Sequence, residues 1–291
     1  MKKKVLVPYL YIIPGLFMVL FFVYIPVVSN FIYSFFRLSS YSAEKIFVGF
    51  ENYIKLFTDE VFLIMIRNNI YYAVISLIVQ VGIGTMLAIL IESKYSGKFR
   101  NLYRNIYFIP ALISLTAVGL LFKFVYSPDI GLLNSALRFL NLDGLTHAWL
   151  GESKLAIFCV IAMSQWQFTG YITVLMVVAV QNIPKEYLEA AEIDGAGPIK
   201  KVINVMLPLV KEQLLVCSII TIIGAFKLFT EIYTTTSGGP GNSSQVLGVY
   251  LYQNAFLHDD MGLAAATGVL IFIITVGISI IQINAAKSGE V

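Results

Sequence analysis

Six long apolar stretches with few charged residues alternate with shorter polar segments along the whole chain. Each stretch is long enough to cross the roughly 30 Å of hydrocarbon in a bilayer as an α-helix. The pattern therefore predicts an all-α, polytopic membrane domain over residues 8–286, between short tails at 1–7 and 287–291. The six predicted transmembrane helices are 8–36, 68–91, 105–126, 155–182, 213–234 and 261–286.

The longest polar-rich segment, residues 183–212, lies between the fourth and fifth spans and predicts a hairpin of two short helices. The first helix is predicted over 186–193 and should end at Gly195, because glycine allows the positive φ found at helix ends. Pro198 suits the first turn of the second helix. That helix is predicted to be amphipathic. Its apolar side holds Val202, Ile203 and Met206.

Two other connectors are predicted to contain short helices, at 52–57 and 132–142. The second of these should lie on the surface. Asn68 and Asn69 open the second span and are interpreted either as pathway residues or as helix caps.

The composition indicates an integral membrane protein, and the distribution of charge indicates its orientation in the membrane. The chain is 58% hydrophobic and 13% charged, whereas soluble domains carry roughly 25% charged residues. A net charge of +3 is too small to indicate nucleic acid as a partner. With the N-terminus inside, the inside segments 1–7, 92–104, 183–212 and 287–291 hold twelve lysine and arginine residues, and the outside segments hold six. Because such residues favour the cytoplasmic side, both termini and the hairpin are predicted to be cytoplasmic (N-in/C-in).

The sequence predicts no catalytic site. No phosphate-binding loop of the type G-x-x-x-x-G-K-[ST] occurs in the chain, so any ATP and Mg²⁺ should bind to a separate polypeptide. His147 and His258 both lie in predicted outside loops, and no metal-ligand or nucleophile–base spacing is present. We therefore expect no cofactor and no metal in this chain.

Polar and aromatic residues within or beside the spans are the candidates for a substrate pathway, because exposing polar groups to lipid is costly. Lys227 and Glu231 are predicted at i and i+4 on one helix, either as a structural ion pair or as substrate contacts. The aromatic residues of the fourth span suit either a sugar or an interfacial belt. The candidates are Trp166, Gln167, Tyr171, Lys227, Glu231 and Tyr233.

The sequence of the hairpin resembles the EAA loop of ABC-importer permeases. Glu189-Ala190-Ala191 is followed after three residues by Gly195, and after nine more by Val205, one further residue and Leu207-Pro208. The family has isoleucine where this chain has Val205, a change of similar volume. In that family the loop forms a coupling helix that docks in a cleft of a separate ATPase subunit. The resemblance implies this role for Glu186, Glu189, Ala190, Ala191, Asp194, Gly195, Leu207 and Pro208. The alternative is a hairpin that only joins two spans.

Residues 226–268 resemble the carbohydrate-uptake, maltose-type branch of the same permeases. The segment contains a TxGGPxxxS-type loop, then an aromatic-rich stretch, then Gly262 followed closely by three alanines. The resemblance implies that Gly238, Gly239 and Pro240 face an extracytoplasmic binding protein; the alternative is an ordinary external hairpin. It also implies an imported sugar, an oligosaccharide above all, while glycerol phosphate or a polyol stays open as an alternative.

Together the resemblances imply the type I ABC-importer permease (MetI-like) fold in a bacterial cytoplasmic (inner) membrane. The implied assembly contains this chain, a second homologous permease, two copies of a P-loop ATPase that binds ATP and Mg²⁺, and a solute-binding protein. The hairpin would transmit closure of the ATPase to the spans. An ion-coupled secondary transporter is the alternative from another class, but it needs coupling carboxylates at mid-membrane, and only Glu231 qualifies.

Overall fold

A computed structural model describes residues 3–42, 44–93 and 95–288, and the regular structure in them is almost entirely helical. The helices are α1 Lys3–Val19, α2 Ile25–Tyr33, α3 Glu51–Thr58, α4 Phe62–Ser76, α5 Gly84–Glu92, α6 Arg100–Phe108, α7 Leu115–Val125, α8 Leu132–Phe139, α9 Ala156–Gln181, α10 Lys185–Ile193, α11 Pro198–Lys201, α12 Leu207–Leu209, α13 Lys211–Phe226, α14 Thr230–Thr235, α15 Leu247–Phe256 and α16 Met261–Ser288.

Shorter elements connect these helices. The π-helical segments Leu20–Tyr24, Leu77–Ile83 and Val202–Met206 join α1 to α2, α4 to α5 and α11 to α12. Single 3-10 turns occur at Gly97–Phe99, Ile109–Leu112 and Asp143–Leu145. Strands β1 Phe36–Arg37 and β2 Ile46–Phe47 form a small antiparallel ribbon with Phe36 opposite Phe47.

Within the described residues, four continuous helices are long and apolar enough to cross a membrane. They are Tyr11–Tyr33, Phe62–Glu92, Ala156–Gln181 and Met261–Ala285. Two bent helix pairs raise the number to six if each pair counts as one span. The prediction of a helical membrane domain is therefore confirmed at the level of four to six spanning segments.

The third and fifth predicted spans differ from straight helices. Gly97–Leu112 and Leu115–Val125 meet at 93°, just after the turn that holds Pro110, whose ring and missing N–H oppose continuation of a helix. Pro198–Leu209 and Lys211–Phe226 meet at 72°, at the boundary between the predicted hairpin and the predicted fifth span. The fifth span was predicted to reach residue 234, but α13 ends at Phe226, and the residues beyond it form the separate helix α14.

One compact unit comprises Met1–Phe62 and Tyr250–Ile273. Within it, the side-chain amide of Asn52 on α3 donates to the carbonyl oxygens of Ser34 at 2.8 Å and Phe36 at 2.9 Å. The short helix predicted at 52–57 is thus confirmed as α3, and its buried amide fixes the connector that follows α2.

The loop before α16 is tied to the same unit by charged and polar groups. Asp259 accepts hydrogen bonds from the Ser39 hydroxyl and, at 2.6 Å, from the Ser40 backbone amide. The hydrogen bond from the Ser39 hydroxyl lowers the pKa of the Asp259 carboxyl below its usual value, and the hydrogen bond from the Ser40 amide contributes less to the same shift. Lys55 of α3 forms an ion pair with Asp260.

The other compact unit comprises Leu63–Val249 and Ile274–Val291, and within it α9 contacts α5, α6, α7, α13 and α14. Gly170 of α9 lies so close to α6 that a Cβ there would overlap the backbone carbonyl of Tyr107. Apolar residues of α9, α5 and the adjoining π-helical segment form a buried cluster near the hairpin. Its members include Val81, Ala88, Ile91, Ile172, Met176, Val177 and Val180.

Asn68 and Asn69 are not helix caps, because α4 already begins at Phe62 and both residues lie inside it. The Asn68 amide donates to the carbonyl oxygens of Ser243 at 2.8 Å and Gln245 at 2.9 Å. The Asn69 amide donates to the carbonyl oxygen of Ala225 at 2.6 Å. Both therefore satisfy backbone groups that would otherwise be unpaired away from water.

Candidate functional site

The structure contains the predicted helix–turn–helix, and its first helix ends in a Schellman motif. Gly195, directly after α10, has a φ of +75°. The Ala196 amide donates to the Ala191 carbonyl at 2.9 Å, and the Gly195 amide donates to the Glu192 carbonyl at 3.1 Å, which are the two bonds of that motif. A Cβ at Gly195 would meet no atom of the described residues within 4 Å. Backbone conformation, rather than crowding, therefore favours glycine here.

The second helix of the hairpin continues from α11 through the π-helical segment to α12. Lys201 forms an ion pair with Glu192 of the first helix, with the Nζ and Oε1 atoms 2.5 Å apart. Met206 is buried, Val202 is half-buried and Ile203 is exposed. A π-helix bonds at i→i+5, and this changes the angular spacing that the prediction assumed.

The implied coupling residues divide by exposure. Ala191 is buried and Leu207 is half-buried, so both contribute to the packing of the hairpin. The others are exposed: Glu186, Glu189, Ala190, Asp194, Gly195 and Pro208. The neighbouring apolar side chains Tyr187, Ile193 and Ile199 are exposed as well. We call these nine exposed residues the hairpin surface.

A cavity of about 340 Å³ lies within the same compact unit, between α4, α9, α13 and α14. We call it the polar hollow. Its polar lining residues are Tyr72, Gln80, Tyr171, Thr221 and Glu231, and its apolar ones are Ala111, Phe168, Ile172, Ile220 and Gly224. The hollow brings together two predicted pathway residues, Tyr171 and Glu231. The sequence analysis missed Tyr72, Gln80 and Thr221, although each is a polar residue inside a predicted span.

Buried hydrogen bonds hold the wall of the hollow in place. The Tyr72 hydroxyl bonds to the Ser164 hydroxyl. The Ser76 hydroxyl accepts from the Gln165 amide at 3.1 Å and from the Gln80 amide at 3.4 Å. The buried Thr221 hydroxyl oxygen has no hydrogen-bond partner in the described part of the chain. Because buried polar groups are normally paired, the hollow offers an unused hydroxyl to a polar ligand.

The four other predicted pathway residues, Trp166, Gln167, Lys227 and Tyr233, do not line the hollow. Trp166 is exposed, and its ring contacts Phe122 with centroids 5.4 Å apart. Gln167 is buried and donates to the Ile113 carbonyl at 2.9 Å, where the third span bends. Tyr233 stacks on Phe229 at 5.1 Å. Gln167 therefore has a structural role at the bend.

The prediction that Lys227 and Glu231 share one helix is wrong. α13 ends at Phe226, Lys227 is its exposed C-cap, and Glu231 lies in α14. The ion pairs found among the described residues do not include Lys227 with Glu231. The helix is interrupted between these two residues, because Leu228 and Phe229 are not helical.

The loop predicted to face a binding protein is folded on itself. Gly238 is buried with φ +92°, and a Cβ there would overlap the Gln245 side chain. The Ser244 hydroxyl donates to the Gly239 carbonyl at 2.5 Å and bonds to the Thr236 hydroxyl at 2.7 Å. Gly239 and Pro240, joined by a cis peptide bond, are half-buried. Thus Gly238 serves the internal packing of the loop.

Long apolar helices, an exposed helical hairpin and a polar hollow define a membrane transport subunit. Across residues 3–42, 44–93 and 95–288, no group of three or more His, Cys, Asp or Glu residues could hold a metal ion. Residues 80–287 match the family described as the binding-protein-dependent transport system inner membrane component, and the chain belongs to that family.

Curated relatives support this assignment. The chain is 45% identical over 289 residues to the "Probable ABC transporter permease protein YurN" of Bacillus subtilis (strain 168), covering 99% of each chain. It is 33% identical over 288 residues to the "Arabinooligosaccharides transport system permease protein AraP" of the same organism, covering 98% of this chain and 90% of that one.

Solved structures show the same fold. One chain from the crystal structure of a bacterial ABC transporter for import of the acidic polysaccharide alginate superimposes with a TM-score of 0.85. The two chains are 21% identical, over 98% of this chain and 96% of that one. The resemblance of the chain to sugar-uptake ABC permeases is confirmed by the family match and by the names of relatives such as AraP. The chain is accordingly a permease subunit and not an enzyme, and ATP hydrolysis belongs to a partner ATPase.

Proposed function

We propose that the chain is one permease subunit of an ATP-driven importer that moves a sugar, above all an oligosaccharide, into a bacterial cell. The polypeptide would cross the cytoplasmic membrane six times, with both termini and the hairpin inside. The names of its relatives support the substrate class, since they include permeases for arabinooligosaccharides and starch degradation products. A relative that is 28% identical is named an uptake permease for osmoprotective compounds. Smaller solutes such as polyols are therefore the alternative substrate class.

The assembly that we propose has this chain beside a second homologous permease and two copies of a P-loop ATPase. ATP and Mg²⁺ would bind to the ATPase, and this chain would hold no cofactor. A solute-binding protein outside the cell would deliver the sugar. A bacterial alginate ABC transporter of the same fold has been solved in complex with a periplasmic protein that carries an alginate pentasaccharide, and this supports such a partner.

The hairpin surface is the observation on which the coupling role rests. Glu189 and Ala190 of the EAA-like motif are exposed, beside the exposed apolar residues Tyr187 and Ile193. An exposed apolar and acidic patch on a rigidly capped helix suits a protein partner. In this proposal the ATPase binds the hairpin surface, and closure of the ATPase dimer moves the spans as a rigid body.

The polar hollow is proposed as part of the substrate pathway. Tyr171 supplies an aromatic face, and Glu231 and Thr221 supply hydrogen-bonding groups, which together suit a hydroxylated ring. Tyr72 and Gln80 extend the set on the α4 side. Trp166, Lys227 and Tyr233 stay as predicted pathway residues outside the hollow.

The test is purification of the tagged chain in mild detergent, with mass spectrometry of the proteins that accompany it. We expect a P-loop ATPase and a second permease. Gly195→Asp should abolish uptake of labelled sugar while the subunit still reaches the membrane, because it adds a negatively charged side chain to the hairpin surface where the ATPase would dock. Glu60→Lys, at an exposed glutamate outside the hairpin, is the control. Normal uptake by Gly195→Asp, or a folded chain without any ATPase, would refute the proposal.

A further inference from the structure

The connector between α7 and α9 is held rigid by one buried amide. The Asn134 side chain on α8 donates to the carbonyl oxygens of Pro128 at 3.0 Å and His147 at 2.9 Å. Its oxygen accepts from the indole N–H of Trp149 at 2.7 Å. His147 also contacts Glu152, with Nδ1 and Oε1 3.0 Å apart. One face of α8 is therefore fixed by a polar network inside the connector.

The opposite face of α8 is apolar and uncovered. Leu132 and Phe139, at i and i+7, are 70% and 87% exposed, and the adjacent Leu140 is 62% exposed. Ala136, at i+4 from Leu132, lies exposed between them. Ile130, just before the helix, is 77% exposed. A contiguous apolar surface of this kind marks contact with a partner or a membrane.

The cation of α8, Arg138, does not interrupt this surface. Its guanidinium donates to the carbonyl oxygens of Asp129 and Pro128, each at 3.0 Å. It thereby satisfies backbone groups at the start of the connector. Leu132, Ala136, Phe139 and Leu140 remain as an uncharged stripe along the exposed side of the helix.

The position of α8 in the chain indicates what covers the stripe. α8 packs against α7, which belongs to one of the bent candidate spans. The exposed side chains of α7 include Leu120, Leu121 and Phe124, which are apolar and therefore suited to contact with hydrocarbon. The stripe on α8 adds a further exposed apolar surface just beyond the end of this candidate span. A short helix with a polar network on one side and bulky apolar residues on the other is suited to the boundary between headgroups and acyl chains.

We propose that α8 is an interfacial anchor whose Leu132–Ala136–Phe139–Leu140 face inserts into the lipid at the α7 end of the membrane. In the proposed orientation this is the outer leaflet. The partner is a lipid surface, not a soluble protein. The network around Asn134 then faces away from the membrane and keeps the connector in one conformation. This inference does not depend on which solute is imported or on which residues bind it.

The test places a fluorescent probe on the stripe of the full chain, purified with its partners and embedded in lipid nanodiscs. Phe139→Cys is labelled with a bimane probe, and Lys154→Cys, at an exposed lysine at the other end of the same connector, is the matched control. Cys159 and Cys217 are buried, and unlabelled native protein measures their background reaction. Leu132→Cys is a second site on the stripe, for use if Phe139→Cys fails to fold.

We expect the Phe139 probe to have a blue-shifted emission and severalfold stronger quenching by nitroxide lipids than the Lys154 probe. Aqueous iodide should show the opposite order. Equal quenching of both probes by iodide would overturn the proposal. Protection of the Phe139 probe only after addition of a binding protein would overturn it as well, because the stripe would then belong to a soluble partner.

Discussion

Two turns in this chain use a glycine in the same left-handed region for different purposes. Gly195 in the hairpin has φ +75° and open space around it, whereas Gly238 in the loop after α14 has φ +92° and lies against Gln245. Both turns belong to segments that resemble family motifs. In the hairpin, most of the motif residues are exposed, whereas the loop uses Gly238 and Ser244 for its own packing. A motif whose residues stay uncovered is thus a better candidate for a partner site than one whose residues satisfy each other.

Gly238→Val should have the largest effect on the stability of the subunit. The substitution combines an unfavourable φ with a clash at the Gln245 side chain, so it should destabilise the folded subunit by roughly 3 kcal/mol. Detergent-denaturation midpoints of the purified protein measure this. A stability equal to that of the native chain would show that the loop is less tightly packed than the structure indicates.

Ser244→Ala should have the next largest effect. The hydroxyl bonds to both the Gly239 carbonyl and the Thr236 hydroxyl, and loss of a buried partner costs about 1–3 kcal/mol. The same denaturation assay applies, with the exposed Ser153→Ala as control. A midpoint equal to that of the control would contradict the prediction.

Gly195→Ala should cost less, about 1 kcal/mol, because only the backbone preference opposes it. The new methyl group would meet no atom of the described residues within 4 Å. We expect normal amounts of protein in the membrane and a small decrease of the midpoint. A loss as large as that of Gly238→Val would remove the contrast between the two turns.

Ala190→Arg should leave stability almost unchanged, within roughly 0.5 kcal/mol, because the residue is exposed on the hairpin surface. In the proposed function it should nevertheless stop sugar uptake and ATPase association, since the new side chain occupies the docking surface. Ala191→Arg, at the buried neighbour, should instead destabilise the protein. Unimpaired uptake by Ala190→Arg would place the docking surface elsewhere.

Much of the helical pattern followed from the sequence because apolar length and helix-end chemistry are local properties. The helix at 186–193, its end at Gly195 and the new start at Pro198 were all predicted from residue type and spacing. The bend inside the third span and the interruption of the fifth span after Phe226 were not predicted. Hydropathy records that a residue is apolar and does not record the direction of the chain.

The polar hollow was predicted only in part for a related reason. Tyr171 was identified as an aromatic residue suited to a sugar, and Glu231 as a charged residue in an apolar span, yet Tyr72 and Thr221 are also polar residues within predicted spans and were overlooked. Their side chains meet through contacts between distant segments, such as the hydrogen bond from Tyr72 to Ser164. The pairing of Lys227 with Glu231 failed because continuity of the helix was assumed through Leu228 and Phe229.

The uninterrupted course of α9 has a mechanical consequence. The helix runs from Ala156 to Gln181 without a break, and α10 starts at Lys185, only a few residues later. Tyr171, on the wall of the hollow, is ten residues from the hairpin end of this rod, or about 15 Å at 1.5 Å per residue. If the hairpin is displaced along the axis of α9, the continuous helix should therefore displace Tyr171 and the wall of the hollow by a similar distance.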